Sequence, residues 1–514
     1  MNVFDYAVSI FNPMAGLQRL QARHMLKSIQ ARYEGAESSR FRKLHRKANP
    51  NDLIRKSALT LREQARYYER NYDIARGAIQ TYVNNIVGPS GIGVLPQPRK
   101  TDGTIYESYA AEIAALIADW ALKPEVTKRW SWSQLQRLAV RSRYRDGEFF
   151  AQRLIGPVPG LNHDTLIPYS LELLEADMVP QDFDQNTGAS STRQGITRNA
   201  WGQPVAYNVY KTSPDDTLIL TAASLKTVPA ERMFHVFKAD RLHAIRGVSE
   251  FASVITRLED IKDYEESERI AAKIAAMFTA YVRKGQADLY GQNANLGMPA
   301  TSGPQPERQI GLQAGIILDS LGPGESIEFI DTKRPNTNVV VFRQGQLRAA
   351  ASGLMISASS LSKNYDGTYS AQRQELVEQS INYACETDDY TTSFIAPVYR
   401  DLIAAAHLSG VLKRPRDLKP GSEFDALYVG QSMPWIDPLK EATANQLLVQ
   451  SGFESTPAII RSRGRNPDDV LTQQKNWVEK CRAAGVAFST DVGVDPATLA
   501  SMLNDPQPNN PASK

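Results

Sequence analysis

At 514 residues, 42% hydrophobic and 22% charged, the chain has the composition of ordinary globular protein, which excludes wholesale disorder, collagen and disulfide scaffolds. Its 59 Lys and Arg against 56 Asp and Glu give a formal charge of +3, so any attraction for nucleic acid must be local. Cys385 and Cys481 are the only cysteines, too few for a disulfide framework or a thiolate metal cluster, and a reducing compartment suits them. The length points to two or more domains.

No segment reads as a membrane span. The longest uncharged apolar-leaning run, Ala349 to Ser362, falls short of the ~20 residues a bilayer requires and is rich in serine. Near the N-terminus Asp5 stands where a signal peptide wants lysine, and Pro13 interrupts the apolar stretch, so a soluble, non-secreted protein is expected.

The first hundred residues are helical in pattern and basic. Between Arg19 and Arg76 fifteen Lys and Arg face six acids, an excess of 15 − 6 = +9. Such a block suits phosphates, anionic lipid or an acidic partner, or else a solvated helical face. Helical periodicity over Leu61–Val87 ends at the GPSGIG turn, 88–93, which lacks the GK[ST] of a phosphate loop. From Trp130 to Tyr210 a helix runs into Gly147, and GEFFAQRLI, TLIPYSLELLE and Ala206–Tyr210 then read as strands, as does Met233–Phe237 beyond.

Between Gly247 and Gly285 there is neither glycine nor proline, and a continuous helix over 248–284 is predicted, ~55 Å long. Phe251, Val254, Ile255, Leu258 and Ile261 form one apolar stripe; Ile270, Ile274, Met277, Phe278 and Tyr281 form a second, rotated one. Between them lie Glu259, Asp260, Asp263, Glu265, Glu266 and Glu268, relieved only by Lys262. The forty residues from Gly285 to Gly324 hold eight glycines and four prolines, and a small β insert is expected there, with 310–318 and 326–330 as its strands. A second helix follows over Asn338–Ser357, behind Pro335. Ser370–Leu408, Leu439–Gly452 and Pro457–Gly485 are further helical units. In the last of these, Asn466 and Pro467 supply an N-cap and first-turn proline. The tail from Asn504 is too polar and proline-rich to fold alone.

No catalytic constellation emerges. There is no P-loop, no HExxH and no GxSxG, and the six histidines are scattered; His235 and His243, the closest pair, straddle a strand end and a loop. Nuclease carboxylates converge from separate elements, whereas the acids at 259–268 lie around one helix, as a solvated face or channel lining would. No enzyme activity, no metal and no cofactor are expected.

Four blocks resemble the portal proteins of tailed bacteriophages, the lambda-type family of head–tail connectors. They are RGAIQTYVNNIVG (76–88) with RSRYRDGEFFAQ (141–152), FHVFKADRLHAIRGVSEF (234–251), GLMISASSLSKNYDGTYSAQRQELVE (353–378) and PWIDPLKEATANQLLVQSGFESTPAIIRSRGRNPDDV (434–470). Asn466 stands where the family usually has Asp. The resemblance implies an α+β, predominantly helical portal fold with wing, stem helices, a small β-containing clip and a helical crown, assembled as a ring. Its divisions here would be a basic N-terminal arm (1–60), wing (61–246), stem helix 1 (247–285), clip (286–335), stem helix 2 (336–357), tunnel loop and wing helices (358–438), crown (439–490) and a flexible tail (491–514).

It further implies a ring of about twelve copies at the unique capsid vertex, through which double-stranded DNA is packaged and ejected. The implied partners are other copies, that DNA, the terminase large subunit, head-completion or neck proteins, and major capsid and scaffold proteins, with no membrane. The implied location is the virion, and the host cytoplasm during assembly. Lys363 and Asn364 in the loop 359–368, and Glu259, Asp263, Glu266 and Glu268, become candidates for the channel or DNA contact. Phe251, Ile255, Leu258, Ile274, Phe278 and Arg373 become candidates for the subunit interface. Two other readings stay open at this point: a divergent metal-dependent nuclease using Glu265, and a DNA-binding scaffold or adaptor using the basic arm.

Overall fold

The computed structural model describes residues 49–187, 190–214, 224–277, 281–284, 325–328, 338–431, 438–463 and 465–484. The chain divides into two compact units, Met1–Leu53 and Ile54–Lys514. Of the first, only the opening turn of a helix is described, where the Asn49 side chain accepts from the Asn51 amide. The basic arm before it lies outside the described residues.

The second unit opens on helices. Helix α1 (Pro50–Asn71) and α2 (Asp73–Ile86) divide the stretch predicted as one periodicity, with extended Tyr72 between them. After the turn at 87–90 come β1 (Gly93–Pro96), α3 (Glu107–Trp120) and α4 (Trp132–Asp146). Ser131 and Gln134 form a capping box on α4, which satisfies amides that the helix start leaves unpaired. At its other end Gly147 takes the left-handed conformation, φ 92°, and turns the chain straight into a strand.

That strand, β2 (Glu148–Ile155), is the centre of an antiparallel sheet with β3 (Tyr169–Leu174) on one side and β9 (Met233–Phe237) on the other. Alternate residues of β2 serve two cores. Phe149 and Ala151 join the large core shared with the helices, while Phe150 joins a smaller one with Tyr207, Val209 and Val228. The smaller core is covered by a five-stranded antiparallel meander: β4 (Gln185–Thr187), β5 (Ser190–Arg193), β6 (Ile196–Arg198), β7 (Pro204–Tyr210) and β8 (Leu225–Pro229).

The long helix is shorter than predicted. Ser249 caps a 3₁₀ turn over Glu250–Ser253, and α5 runs from Ile255 to Met277. Tyr281–Lys284 is a strand, β10, paired antiparallel with β11 (Glu325–Glu328), so the strand predicted near 326–330 finds its partner across the insert. The strand expected at 310–318 lies outside the described residues.

Helix α6 (Asn338–Gly353) returns antiparallel to α5. Gly353 meets Val254, Arg257 bonds Gln346, Tyr264 packs edge-on to Phe342, and Arg343 pairs with Glu265. Then follow α7 (Ala358–Ser362), α8 (Tyr369–Tyr390) and α9 (Ala396–Leu408), the last two joined through a π turn at Thr391–Ile395. Pro397 has no N–H to offer one turn back, and the wider turn just before it absorbs that loss. Strand β12 (Ala426–Val429) pairs with β1, and α10 (Pro438–Gln450), α11 (Thr456–Ser462) and α12 (Pro467–Ala483) end the described chain. Asn466 caps α12 by accepting from the Asp468 amide at 2.9 Å. The architecture is α+β and predominantly helical, as expected.

Candidate functional site

The hairpin of α5 and α6 stands on a buried charge cluster. Glu148, fully buried at the start of β2, accepts from the Arg246 guanidinium at 2.6 Å, from His235 Nε2 at 2.9 Å and from the Gly247 amide at 3.1 Å. Arg246 spends its remaining donors on the carbonyls of Val179, Gln194 and Ala176. Burial alone would raise the Glu148 pKa; Arg246 and His235 overcome it and hold the carboxyl far below its usual range. Burial drives the His235 pKa the other way, down, with only partial opposition from Glu148, so the ring sits neutral at physiological pH.

Helix α1 plugs into the same cluster. Arg62, only 1% exposed, pairs with Asp177 at 2.5 Å and lies 3.6 Å from Glu148; Arg66 pairs with Asp146 and Asp177. Two of the stretch's arginines are thus internal, while Arg55, Lys56, Arg70 and Arg76 stay exposed. Backbones approach closely here too. A Cβ on Gly247 would overlap the Gly147 carbonyl, and one on Gly147 would overlap the Val248 backbone. The GE of one quoted block and the H and RG of another are therefore one contact, 98 residues apart in sequence for Glu148 and Arg246.

A second cluster ties the same base to α8. Glu386 accepts from Tyr82 at 2.8 Å and Lys238 at 2.6 Å, and pairs with Arg143 at 3.2 Å. Glu250, at the foot of the hairpin, is 3.5 Å from Lys238, and burial raises its carboxyl above the ordinary range. Tyr144 stacks on Tyr82 and donates to the Leu354 carbonyl at 2.6 Å, fastening the end of α6 to α4.

The structure sorts the sequence candidates. Phe251, Ile255 and Leu258 fill this subunit's own core with Leu347, Ala350, Ala351 and Leu354, so they offer no surface to a neighbour, contrary to expectation. The apolar stripe had a partner within the chain. The Ile274 side chain and all of Phe278 lie outside the described residues. Arg373 is half-exposed and pairs with Glu441 at 3.2 Å, linking α8 to α10. Glu259, Asp263 and Glu266, at spacings of four and three, form one exposed stripe on α5. Glu268, nine residues from Glu259, falls on the opposite side of the helix and is half-buried. Glu265, on which a nuclease reading turned, is engaged by Arg343. Among the described residues no group of His, Cys, Asp and Glu is placed to hold a metal ion.

Lys363 ends α7 in the left-handed conformation, φ 55°, exposed, its Nζ 3.4 Å from the Thr81 hydroxyl. Asn364 is half-buried; its side chain accepts from the Asp366 amide and its own amide donates to Ser362. Ser357 caps α7, Thr368 caps α8, and Glu375 accepts from the Ser359 amide and hydroxyl, so both ends of the loop are pinned while Lys363 stays exposed. Between this loop and α6 lies a polar cleft of about 420 Å³ with Gln344, Arg348, Asn364 and Gln372 on its walls.

Charge clusters closed by their own partners, carrying a projecting hairpin and a pinned loop, are the build of a structural protein that presents surfaces. The comparisons say which. The model of the phage portal protein, lambda family, matches residues 37–386, well over half of the chain, and the chain belongs to that family. Its role is that of a portal. Three of the four quoted blocks fall inside that match, and 434–470 lies beyond it. A "Probable portal protein" of Halomonas phage phiHAP-1 is 25% identical over 453 residues, 84% of this chain and 83% of that protein. "Portal protein B" of Escherichia phage lambda is 23% identical over 81% of this chain and 83% of that one. Among solved structures, the neck of a native GTA particle computed with C12 symmetry covers 80% of this chain and 94% of its own, at 11% identity and TM-score 0.40.

Proposed function

We propose that copies of this chain close into a ring, of about twelve subunits, at the unique vertex of a phage capsid, and that double-stranded DNA enters and leaves the head along its axis. The observation that carries this reading is a family match over residues 37–386. The helical hairpin supports it: rigidly footed in buried ion clusters, it carries two unlike outward faces, and head-to-tail assembly demands two different complementary surfaces on every subunit. In this reading α5 and α6 are the stem, the base over 61–246 with 358–438 the wing, 286–335 the clip that meets terminase and then neck proteins, and 439–490 the crown inside the capsid. The protein is a component of the virion and performs no chemistry of its own.

Lys363 is the residue we assign to DNA. It is exposed on a loop whose ends are pinned, and repeated around a ring it offers one phosphate contact per subunit. Such contacts are salt-dependent and weak singly, which suits a duplex that must slide. The exposed acids of α5 would repel the backbone wherever they meet it.

Native mass spectrometry of the purified full chain, with negative-stain images of the same sample, tests the ring. A closed assembly of about twelve copies with a central hole is expected. A monomer or two-fold dimer at high concentration across several salt conditions overturns the reading. Lys363→Gly tests the loop separately: glycine adopts the left-handed conformation without strain, so the ring should persist while packaging in vivo falls.

A further inference from the structure

The two outward faces of the hairpin differ in charge. On α5, Glu259, Asp260, Asp263 and Glu266 are exposed and make no ion pair among the described residues, whereas Glu265 on the inner side is taken by Arg343. On α6 the exposed stripe is Val341, Gly345, Arg348 and Ser352, at spacings of four, three and four, flanked by Phe342 and Ala349. Arg348 makes no ion pair among the described residues. Its neighbours on that face are small, so a second helix can approach closely. Val341 is 71% exposed and Phe342 50%, and near the far end of the acidic face Ile270 is 50% exposed. Within the chain these faces are bordered but not covered: Arg348 also lines the cleft shared with Asp366 and Glu375, and Lys262 beside the acids donates to Tyr67 of α1 at 3.2 Å.

We propose that the outward face of α6 is the docking site for the outward face of α5 of a second copy, with Arg348 seated between that copy's Glu259, Asp260 and Asp263. The proposal rests on the ring reading and specifies which surfaces close it. Charge complementarity selects the occupant: an acidic helix repels DNA but fits a lone arginine on a smooth face. Level selects the register. Within the hairpin, Gly353 stands beside Val254 and Gln346 beside Arg257, so Arg348 lies within about a turn of Glu259 along the stalk. Rotation about an axis running along the hairpin preserves level, so Arg348 of one subunit meets the upper acids of the next. The exposed apolar residues, Val341 and Phe342 on one helix and Ile270 on the other, lie toward the same end of the hairpin, with Phe342 level with Tyr264. Each copy carries one face of each kind, so the contact is heterologous and propagates until it closes.

The test uses the full chain. Arg348→Glu places like charges in contact at every interface, and the ring fraction in native mass spectrometry should fall by about tenfold or more where wild type is fully assembled. The monomeric variant should keep the wild-type circular dichroism spectrum and thermal transition, because Arg348 is exposed and unpaired. Glu259→Lys with Asp263→Lys should disassemble the ring equally, and adding Arg348→Glu to that pair should restore it, since the reversed charges again match. Wild-type rings unaffected by Arg348→Glu would sink this docking mode alone; so would loss of assembly that the combined variant fails to rescue. Absence of rings from wild type itself would remove the ring reading and this one with it.

Discussion

Glu148→Gln isolates the energetic role of the buried cluster. The substitution keeps volume and one carbonyl acceptor but removes the only carboxylate bonded to Arg246 among the described residues; the Arg246 side chain is entirely buried. Arg62 keeps Asp177 at 2.5 Å, so one guanidinium rather than two is left uncompensated. Breaking a buried pair by deleting one partner costs about 3–5 kcal/mol. The three backbone carbonyls that accept from Arg246 continue to solvate it, which places the expectation near the lower end, about 3 kcal/mol. Urea unfolding of the full chain at neutral pH measures it. Arg55→Ala is the contrast: that pair with Asp184 has side chains 40% and 35% exposed, and its loss should cost under about 1 kcal/mol. Glu148→Leu combined with Arg246→Met should be milder than Glu148→Gln, because Arg246 is no longer left as a buried charge without its carboxylate and Arg62 keeps Asp177. A Glu148→Gln protein within about 1 kcal/mol of wild type would refute the idea that this cluster holds the base together.

Other predictions follow from neighbouring features. Gly247→Ala should leave little soluble folded protein, since its Cβ overlaps the Gly147 carbonyl; Gly77→Ala, in helix α2 with open space around it, should raise stability by up to about 1 kcal/mol, and thermal melts compare the two. Acid should weaken the fold from about pH 6.5 downward. Folded His235 resists the proton that the unfolded chain takes up, so the unfolded state binds more protons and stability falls with pH; His235→Gln should flatten that slope between pH 7.5 and 5. Below the ordinary carboxylate range Glu148 adds a further loss of the same sign. Asn466→Ala should cost about 1 kcal/mol, read as faster amide exchange in the first turn of α12.

How much of this was legible in the sequence depended on whether a contact was local. The cap at Asn466, the left-handed turn at Gly147 and the boundary near Asn338 could be read from a few adjacent residues, because the groups that satisfy a helix end lie within four positions of it. The length of α5 could not. Absence of glycine and proline permits a helix through 284, but Tyr281–Lys284 is claimed by Glu325–Glu328, more than forty residues away, and that pairing leaves no periodic trace in either segment. Arg62 and Arg66 likewise read as part of a basic block, because nothing near them in sequence announces Asp146, Glu148 and Asp177.

The displaced interface candidates carry the larger lesson. Phe251, Ile255 and Leu258 looked available to a neighbouring subunit because the helix that covers them arrives some ninety residues later, as Leu347, Ala350, Ala351 and Leu354. Once the apolar stripe is spent inside the chain, hydrophobic burial cannot be what distinguishes the hairpin's outward faces. What remains exposed there is an acidic row on one helix and an arginine flanked by small residues on the other, with Val341, Phe342 and Ile270 toward one end. A ring joined mainly through such faces would be held by charge contacts that salt screens over about 10 Å at 0.1 M, and would exchange subunits more readily as ionic strength rises. Subunit mixing between differently tagged rings at 0.05 and 0.5 M salt would show it, and exchange that is equally slow at both would place the holding energy elsewhere in the chain.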